Sequence, residues 1–203
     1  MRLKVMLNCI LKFIVFFGLL ALLPIIIISS LLIYFEDGKP VIFFQKRLGK
    51  NKNIFTIYKL RTMRIETPSL GTHEVSEDNY LYWGIILRKT KIDELPQLIN
   101  FLKGDINLIG PRPGLENQTE LIKYREIEKI FDVRPGITGL SQVLGYDMSN
   151  PEVLSKIDKL YIKKNNLKID IYILLATIFK PFKSKVLNLY KNQIASIGVN
   201  KDV

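Results

Sequence analysis

Phe13–Phe35, FIVFFGLLALLPIIIISSLLIYF, is an uncharged run of about 23 residues. As a helix it extends roughly 35 Å, enough to reach across a hydrocarbon core of about 30 Å. It is too long for a signal-peptide core and lacks a small-x-small cleavage pattern, so it reads as retained. Pro24 interrupts its middle, removing one helical donor and crowding the Leu20 carbonyl, which predicts a kink or break. Ser29 and Ser30 stand ready to satisfy backbone groups freed nearby. Arg2, Lys4 and Lys12 flank the run on one side, and Lys39, Lys46, Arg47, Lys50 and Lys52 on the other. A straight span places only one basic flank on the cytoplasmic side; a helix that bends at Pro24 and returns places both. The flanks alone leave the two topologies open.

The rest of the composition sets the context. The 203 residues carry 30 Lys+Arg against 19 Asp+Glu, a formal charge of +11, yet 48% are hydrophobic and mean hydropathy is +0.15. The apolar fraction excludes a disordered basic tail, and the charge excludes a bundle of several uncharged spans. One Cys excludes a disulfide framework and Cys-rich zinc sites. The single His, His73, sits in the polar, turn-rich stretch 65–79 and reads as a solvated loop residue. What remains is a basic chain that meets a membrane, an anionic partner, or both.

Beyond the apolar run, PVIFFQ (40–45) and IFTIYKL (54–60) are β-branched and aromatic, and the polar segment 46–53 between them predicts a β-hairpin with a long loop. Leu95, Leu98, Ile99 and Leu102 predict a helix that Asp93 caps and Gly104 stops, with Pro96 in its first turn. Two Pro/Gly connectors follow, 110–114 (GPRPG) and 134–139 (RPGITG), the first leading to a charged helix over 116–130. Asn150-Pro151 opens another helix, with Val153, Leu154, Ile157, Leu160 and Tyr161 on one face. Ile169–Phe179 is too short to span and suits a buried or interfacial helix, with Lys180, Lys183 and Lys185 behind it. The fold class is therefore α+β, mostly helical and membrane-associated.

Several residues suit an anionic substrate. Lys59, Arg61 and Arg64 end the second strand, Arg88 and Lys89 precede Asp93, and Arg112 lies between two prolines that would hold its guanidinium stiffly. Asp93-Glu94 at a helix start reads first as an N-terminal cap, the ordinary use of such a pair, and second as a carboxylate pair sharing a divalent cation.

These blocks together resemble the bacterial sugar transferases, specifically the small monotopic phosphoglycosyl transferases. The resemblance is carried by YKLRTM (58–63), by LRKT (87–90) leading to DELPQL (93–98), by LKGD (102–105), GPRP (110–113) and RPGITG (134–139), and by Asp158, Tyr161 and Asp170. It implies transfer of a phosphosugar from a UDP-sugar to a membrane polyprenyl (undecaprenyl) phosphate, releasing UMP and starting glycoconjugate assembly. It implies Asp93 as the nucleophile of a covalent phosphosugar intermediate. Glu94 is implied in binding Mg2+ with Asp93 and in deprotonating the acceptor phosphate, and Lys59, Arg61, Arg88 and Arg112 in holding phosphate or nucleotide. The Pro24-broken run resembles the family's re-entrant helix, which gives residues 1–36 as membrane helix and 37–203 as one cytosolic, membrane-associated catalytic domain. Both termini and the site are then expected on the cytoplasmic face of the bacterial inner membrane. The chain departs from the family at Lys91-Ile92, at Leu140-Ser141-Gln142 and at Tyr146, where the family often has Arg. The rival expectation is a membrane-anchored basic module binding anionic lipid or nucleic acid without turnover. Against it, no basic stretch interleaves with aromatics and no nucleic-acid motif occurs, so nucleic acid is not expected as a partner.

Overall fold

The computed structural model describes residues 2–67 and 76–198; His73 lies outside them. The chain gathers into two compact units, one formed by Met1–Gln45 with Thr56–Asp105 and the other by Lys46–Phe55 with Ile106–Val203.

The first unit begins with α1 (Arg2–Asp37), and Pro24 lies inside this uninterrupted helical run. Its segment Cys9–Asp37 is long and apolar enough to cross a membrane, and only 6% of its most apolar window is buried, so it is not an ordinary core helix. One stripe is the exception. Ser29 and Ile33 are buried, and Ile33 packs with Leu60, Leu81 and Leu87 while Ile26 borders the cluster. That spacing is one face of a helix. Phe13, Phe16, Phe17, Ile27, Ile28 and Leu31 stay exposed.

The hairpin is β1 (Ile42–Leu48) and β2 (Ile54–Leu60). Lys46–Leu48, expected in the loop, extend β1, because a tight turn over Lys50–Lys52 with Asn51 at φ 54° needs only a few residues to reverse the chain. After β2 comes α2 (Tyr82–Thr90), which ends where Lys91 turns left-handed. A one-turn 3-10 segment, Ile92–Glu94, then leads to α3 (Gln97–Lys103). The expected helix is thus shorter at its start, and Asp93 makes no capping bond. The buried residues of α3 are Gln97, Asn100 and Phe101, whereas Ile99 is exposed. Gly104 stops the helix as expected, at φ 87°.

The second unit pairs β3 (Asn107–Ile109) in parallel with β4 (Gly136–Thr138). Around them lie α4 (Thr119–Ile127), α5 (Leu140–Leu144), α6 (Pro151–Lys164), α7 (Leu167–Ile178) and α8 (Pro181–Ser196). Asn150 caps α6 by accepting from the Val153 N–H at 3.2 Å. Its inner face, including Leu154, Ile157 and Tyr161, joins Leu140, Leu144, Ile173, Val186 and Tyr190 in the core. Helix α7 buries Ile173 but leaves Leu167, Ile171, Leu174 and Ile178 exposed.

Candidate active site

Asp93 and Glu94 sit in the 3-10 turn that links α2 to α3, and both are buried. Lys91 makes this possible: its left-handed conformation ends α2 sharply and turns the chain inward. β2 supplies the partner, for Lys59 Nζ pairs with Glu94 Oε1 at 2.9 Å, with side chains 17% and 10% exposed. Asp93 is 5% exposed, and its Oδ1 is buried with no hydrogen-bond partner among the described residues.

A buried carboxylate oxygen without a donor is costly in a folded protein. Burial pushes the Asp93 carboxyl above the usual carboxylate range and Glu94 adds to the rise, while Lys59, Arg88 and Lys91 oppose it. Three cations therefore act on one carboxylate from β2, α2 and the left-handed corner. Arg88 is itself steadied by the Tyr80 ring, its guanidinium carbon 4.9 Å from the centroid. The result is a desolvated carboxyl group in a positive field.

Arg61 has different company. Its Nη1 donates to Asp37 Oδ2 at 2.7 Å, and its Nη2 donates to the carbonyls of Asp37 and Gly38 at 3.0 and 2.8 Å. It thus covers the carbonyl end of α1. Glu36 does the converse for α2, accepting from the Tyr82 and Trp83 N–H groups at 2.5 and 3.1 Å. Glu36-Asp37 is the only acidic pair in the first 65 residues, a signal that sequence reasoning passed over.

Arg112 lies in the second unit. There Arg47 donates to the Pro113 carbonyl at 3.1 Å, and its pKa is pushed down to about 9, chiefly by burial and then by Arg112 and Arg125. Arg125 pairs with Asp158 at 3.1 Å, and the Ser141 hydroxyl donates to the other Asp158 oxygen at 2.7 Å. Tyr161 donates to Asp170 at 2.8 Å. The structure thus gathers Asp93, Glu94, Lys59 and Arg88 within the first unit, and Arg112 with Arg47 and Arg125 within the second. Lys91, noted from sequence only as a departure, joins the first group.

No cluster of three or more acidic, His or Cys side chains is present among the described residues. Two adjacent carboxylates, one with an oxygen uncommitted, still match the way Mg2+ is held by one or two carboxylates together with substrate phosphates.

Sequence comparisons bear on the family of the chain. A model described as bacterial sugar transferase matches residues 2–184. The chain is 37% identical over 161 residues to the uncharacterized sugar transferase EpsL of Bacillus subtilis, covering 79% of each. It is 36% identical over 167 residues to the UDP-N-acetylgalactosamine-undecaprenyl-phosphate N-acetylgalactosaminephosphotransferase of Aeromonas hydrophila, covering 76% of the chain but 38% of that relative. It is 36% identical over 166 residues to the UDP-glucose:undecaprenyl-phosphate glucose-1-phosphate transferase of Caulobacter vibrioides, covering 76% of the chain and 61% of that relative. With a family match running from α1 through the buried Asp93-Glu94 turn and into α8, the chain belongs to the bacterial sugar transferase family.

Proposed function

We propose that the protein transfers a phosphosugar from a UDP-sugar to a polyprenyl phosphate by way of a covalent intermediate on Asp93. The observation that carries this reading is the unpartnered, buried Oδ1 of Asp93 in the field of Lys59, Arg88 and Lys91. The names of the Aeromonas and Caulobacter relatives, both undecaprenyl-phosphate transferases, support the choice of substrates.

In the first step the Asp93 carboxylate attacks the phosphorus that bears the sugar. A phosphorus–oxygen bond forms to Asp93, the bond to the bridging oxygen breaks, and UMP leaves with that electron pair. In the second step an oxygen of the polyprenyl phosphate attacks the same phosphorus. The acyl-phosphate bond breaks, the carboxylate is restored, and the sugar departs on a polyprenyl diphosphate. Glu94 receives any proton carried by the acceptor phosphate, and Lys59 holds Glu94 in place for it. The barrier in both steps is anion meeting anion, which Lys59 and Arg88 lower by neutralising charge as it shifts. Asp93 and Glu94 are the residues that would hold Mg2+, which when bound neutralises diphosphate charge. Arg112 is assigned to the nucleotide-sugar.

The same proposal places the enzyme on the cytoplasmic face of the inner membrane, with α1 re-entrant. Lys12 Nζ donates to the Leu102 carbonyl at 2.8 Å, and Asp37 is held by Arg61. Both ends of the apolar run are therefore held by the first unit, although about 37 Å of helix would separate them if straight. A bitopic span would carry α3, with its exposed Lys103, into hydrocarbon. The exposed apolar residues of α7 and the lysines after it fit the headgroup boundary.

The test is UMP release by detergent-purified protein given UDP-sugars, polyprenyl phosphate and Mg2+. Release that persists undiminished in Asp93→Asn refutes the nucleophile assignment. For topology, cysteines placed before residue 5 and after residue 40, in a Cys9→Ser background, should both label from the cytoplasm. Labelling from opposite sides restores the bitopic anchor.

A further inference from the structure

LKGD (102–105) is one of the blocks that marks the family, and the chemistry above gives it no task. The residue that explains it is Asn100, a fully buried amide on α3. Its Oδ1 accepts from the Tyr58 N–H at 3.1 Å, and its Nδ2 donates to the Thr56 carbonyl at 2.7 Å. Those are alternate backbone groups on β2, whose hairpin has two strands. The Asn100 side chain therefore does what a neighbouring strand would do, offering one acceptor and one donor to the strand edge.

Asp105 fixes which way the amide faces. Its Oδ2 accepts from Asn100 Nδ2 at 3.0 Å, so an inverted amide would set oxygen against oxygen there and against the Thr56 carbonyl. Gly104 brings Asp105 back to this point: at φ 87° it turns the chain so that the Gly104 and Asp105 N–H groups both donate to the Asn100 carbonyl at 3.0 Å. Asn100, Gly104 and Asp105 are thus a single device that staples α3 to β2.

We infer that Asn100, oriented by Asp105, is a positioning residue that holds Lys59 against Glu94. Lys59 follows Tyr58 on β2, and Glu94 stands just ahead of α3. A slip of one residue between strand and helix would turn Lys59 to the opposite face and leave Glu94 without its 2.9 Å partner. The inference rests on the catalytic reading of the Asp93-Glu94 turn, and deepens it.

The experiment uses full-length protein in detergent, the UDP-sugar giving the fastest UMP release, and four variants. Asn100→Asp sets a carboxylate oxygen against Thr56 and Asp105, Asp105→Ala removes the orienting acceptor, Asp105→Asn keeps one, and Lys59→Met removes the positioned group. Asn100→Asp and Asp105→Ala should lower kcat about tenfold with a smaller change in KM, while Asp105→Asn stays within about twofold. Asn100→Asp combined with Lys59→Met should be no slower than Lys59→Met alone, because both act through one group. Losses that multiply, or an Asp105→Ala enzyme indistinguishable from wild type, overturn the inference. A second readout needs no turnover: carbodiimide should join Lys59 to Glu94 as an amide detectable by mass spectrometry in wild type and Asp105→Asn. The join should be lost in Asp105→Ala protein of unchanged melting temperature. Its persistence there, or its absence from wild type, also overturns the inference. If no UDP-sugar yields UMP with wild type, the catalytic reading fails while the crosslink still decides the positioning.

Discussion

Replacing Arg61 separates two tasks that its sequence position leaves superimposed, holding phosphate and closing the end of α1. In the folded chain its side chain is 6% exposed, that of Asp37 is 22% exposed, and its three donated bonds end on Asp37 and Gly38. Arg61→Met strands a mostly buried carboxylate and two helix-end carbonyls. Breaking such a pair from one side costs about 3–5 kcal/mol. Asp37 keeps a contact from the Ile65 N–H at 3.3 Å and some solvent, so the lower end, about 3 kcal/mol, is expected. Arg61→Lys keeps the charge but not the fork, and one ammonium cannot reach all three acceptors; about 1.5 kcal/mol is expected. Urea unfolding in detergent, followed by the fluorescence of Trp83, measures both values. Trp83 is the chain's single tryptophan, and its backbone N–H is held by Glu36 at the same junction. UMP-release kinetics on the Lys variant, below its unfolding transition, should show a donor KM within about twofold of wild type. An Arg61→Lys protein of full stability whose donor KM rises tenfold would refute the clamp and make Arg61 a phosphate ligand.

Three further outcomes follow from the same geometry. Asp93 has its folded-state pKa raised, so the folded state loses stability as pH climbs through the unfolded value near 3.8 to the raised one. Asp93→Asn should therefore melt higher than wild type at pH 7–8, with the difference vanishing below pH 3.8; an advantage that persists there refutes the titration. A Cβ at Gly84 would run into the Thr62 backbone, whose carbonyl carbon would lie 2.8 Å away. Gly84→Ala should thus cost about 3 kcal/mol in the same urea assay, and a neutral result would mean α2 can move. Arg125→Met leaves Asp158, 1% exposed, charged and unpaired. It should cost about 3–5 kcal/mol, while Arg125→Met with Asp158→Leu should recover most of that; an equally unstable double variant refutes the pairing.

The sequence is legible where local rules decide the outcome. Gly104 as a helix stop, Asn150-Pro151 as a helix start and the inner face of α6 all depend on residues a few positions apart, and all stand as expected. The hairpin is legible except for its loop, because β-propensity does not reveal that Asn51 will turn left-handed. Asp93 misleads for an instructive reason. An acid before an apolar periodic run normally caps the helix, but here Lys91 has already turned the chain and Asp93 is drawn inside, its oxygen uncommitted. Lys59, Arg88 and the Asp93-Glu94 pair are legible as a group through the order of their motifs. The division between Arg61 and Lys59 is not, since two basic residues two apart on a strand look alike until their partners, Asp37 and Glu94, arrive from distant segments. The same holds for Asn100, whose partners on β2 are backbone groups more than 40 positions away.

The burial of Ser29, and of Ile33 against Leu60, Leu81 and Leu87, bears on how this enzyme can be divided. An anchor joined by a linker could be cut away to leave a soluble catalyst. Here the last turns of α1 are core, Glu36 starts α2, and Arg61 is matched to Asp37. Removing the first 37 residues would open an apolar trench and leave a buried guanidinium without its counterion. The apolar helix and a formed first unit are thus inseparable, and the protein gains a safeguard from it. A chain that fails to seat its apolar helix lacks the packing that shapes β2 and α2, and with it the setting of Lys59, Arg88 and Asp93.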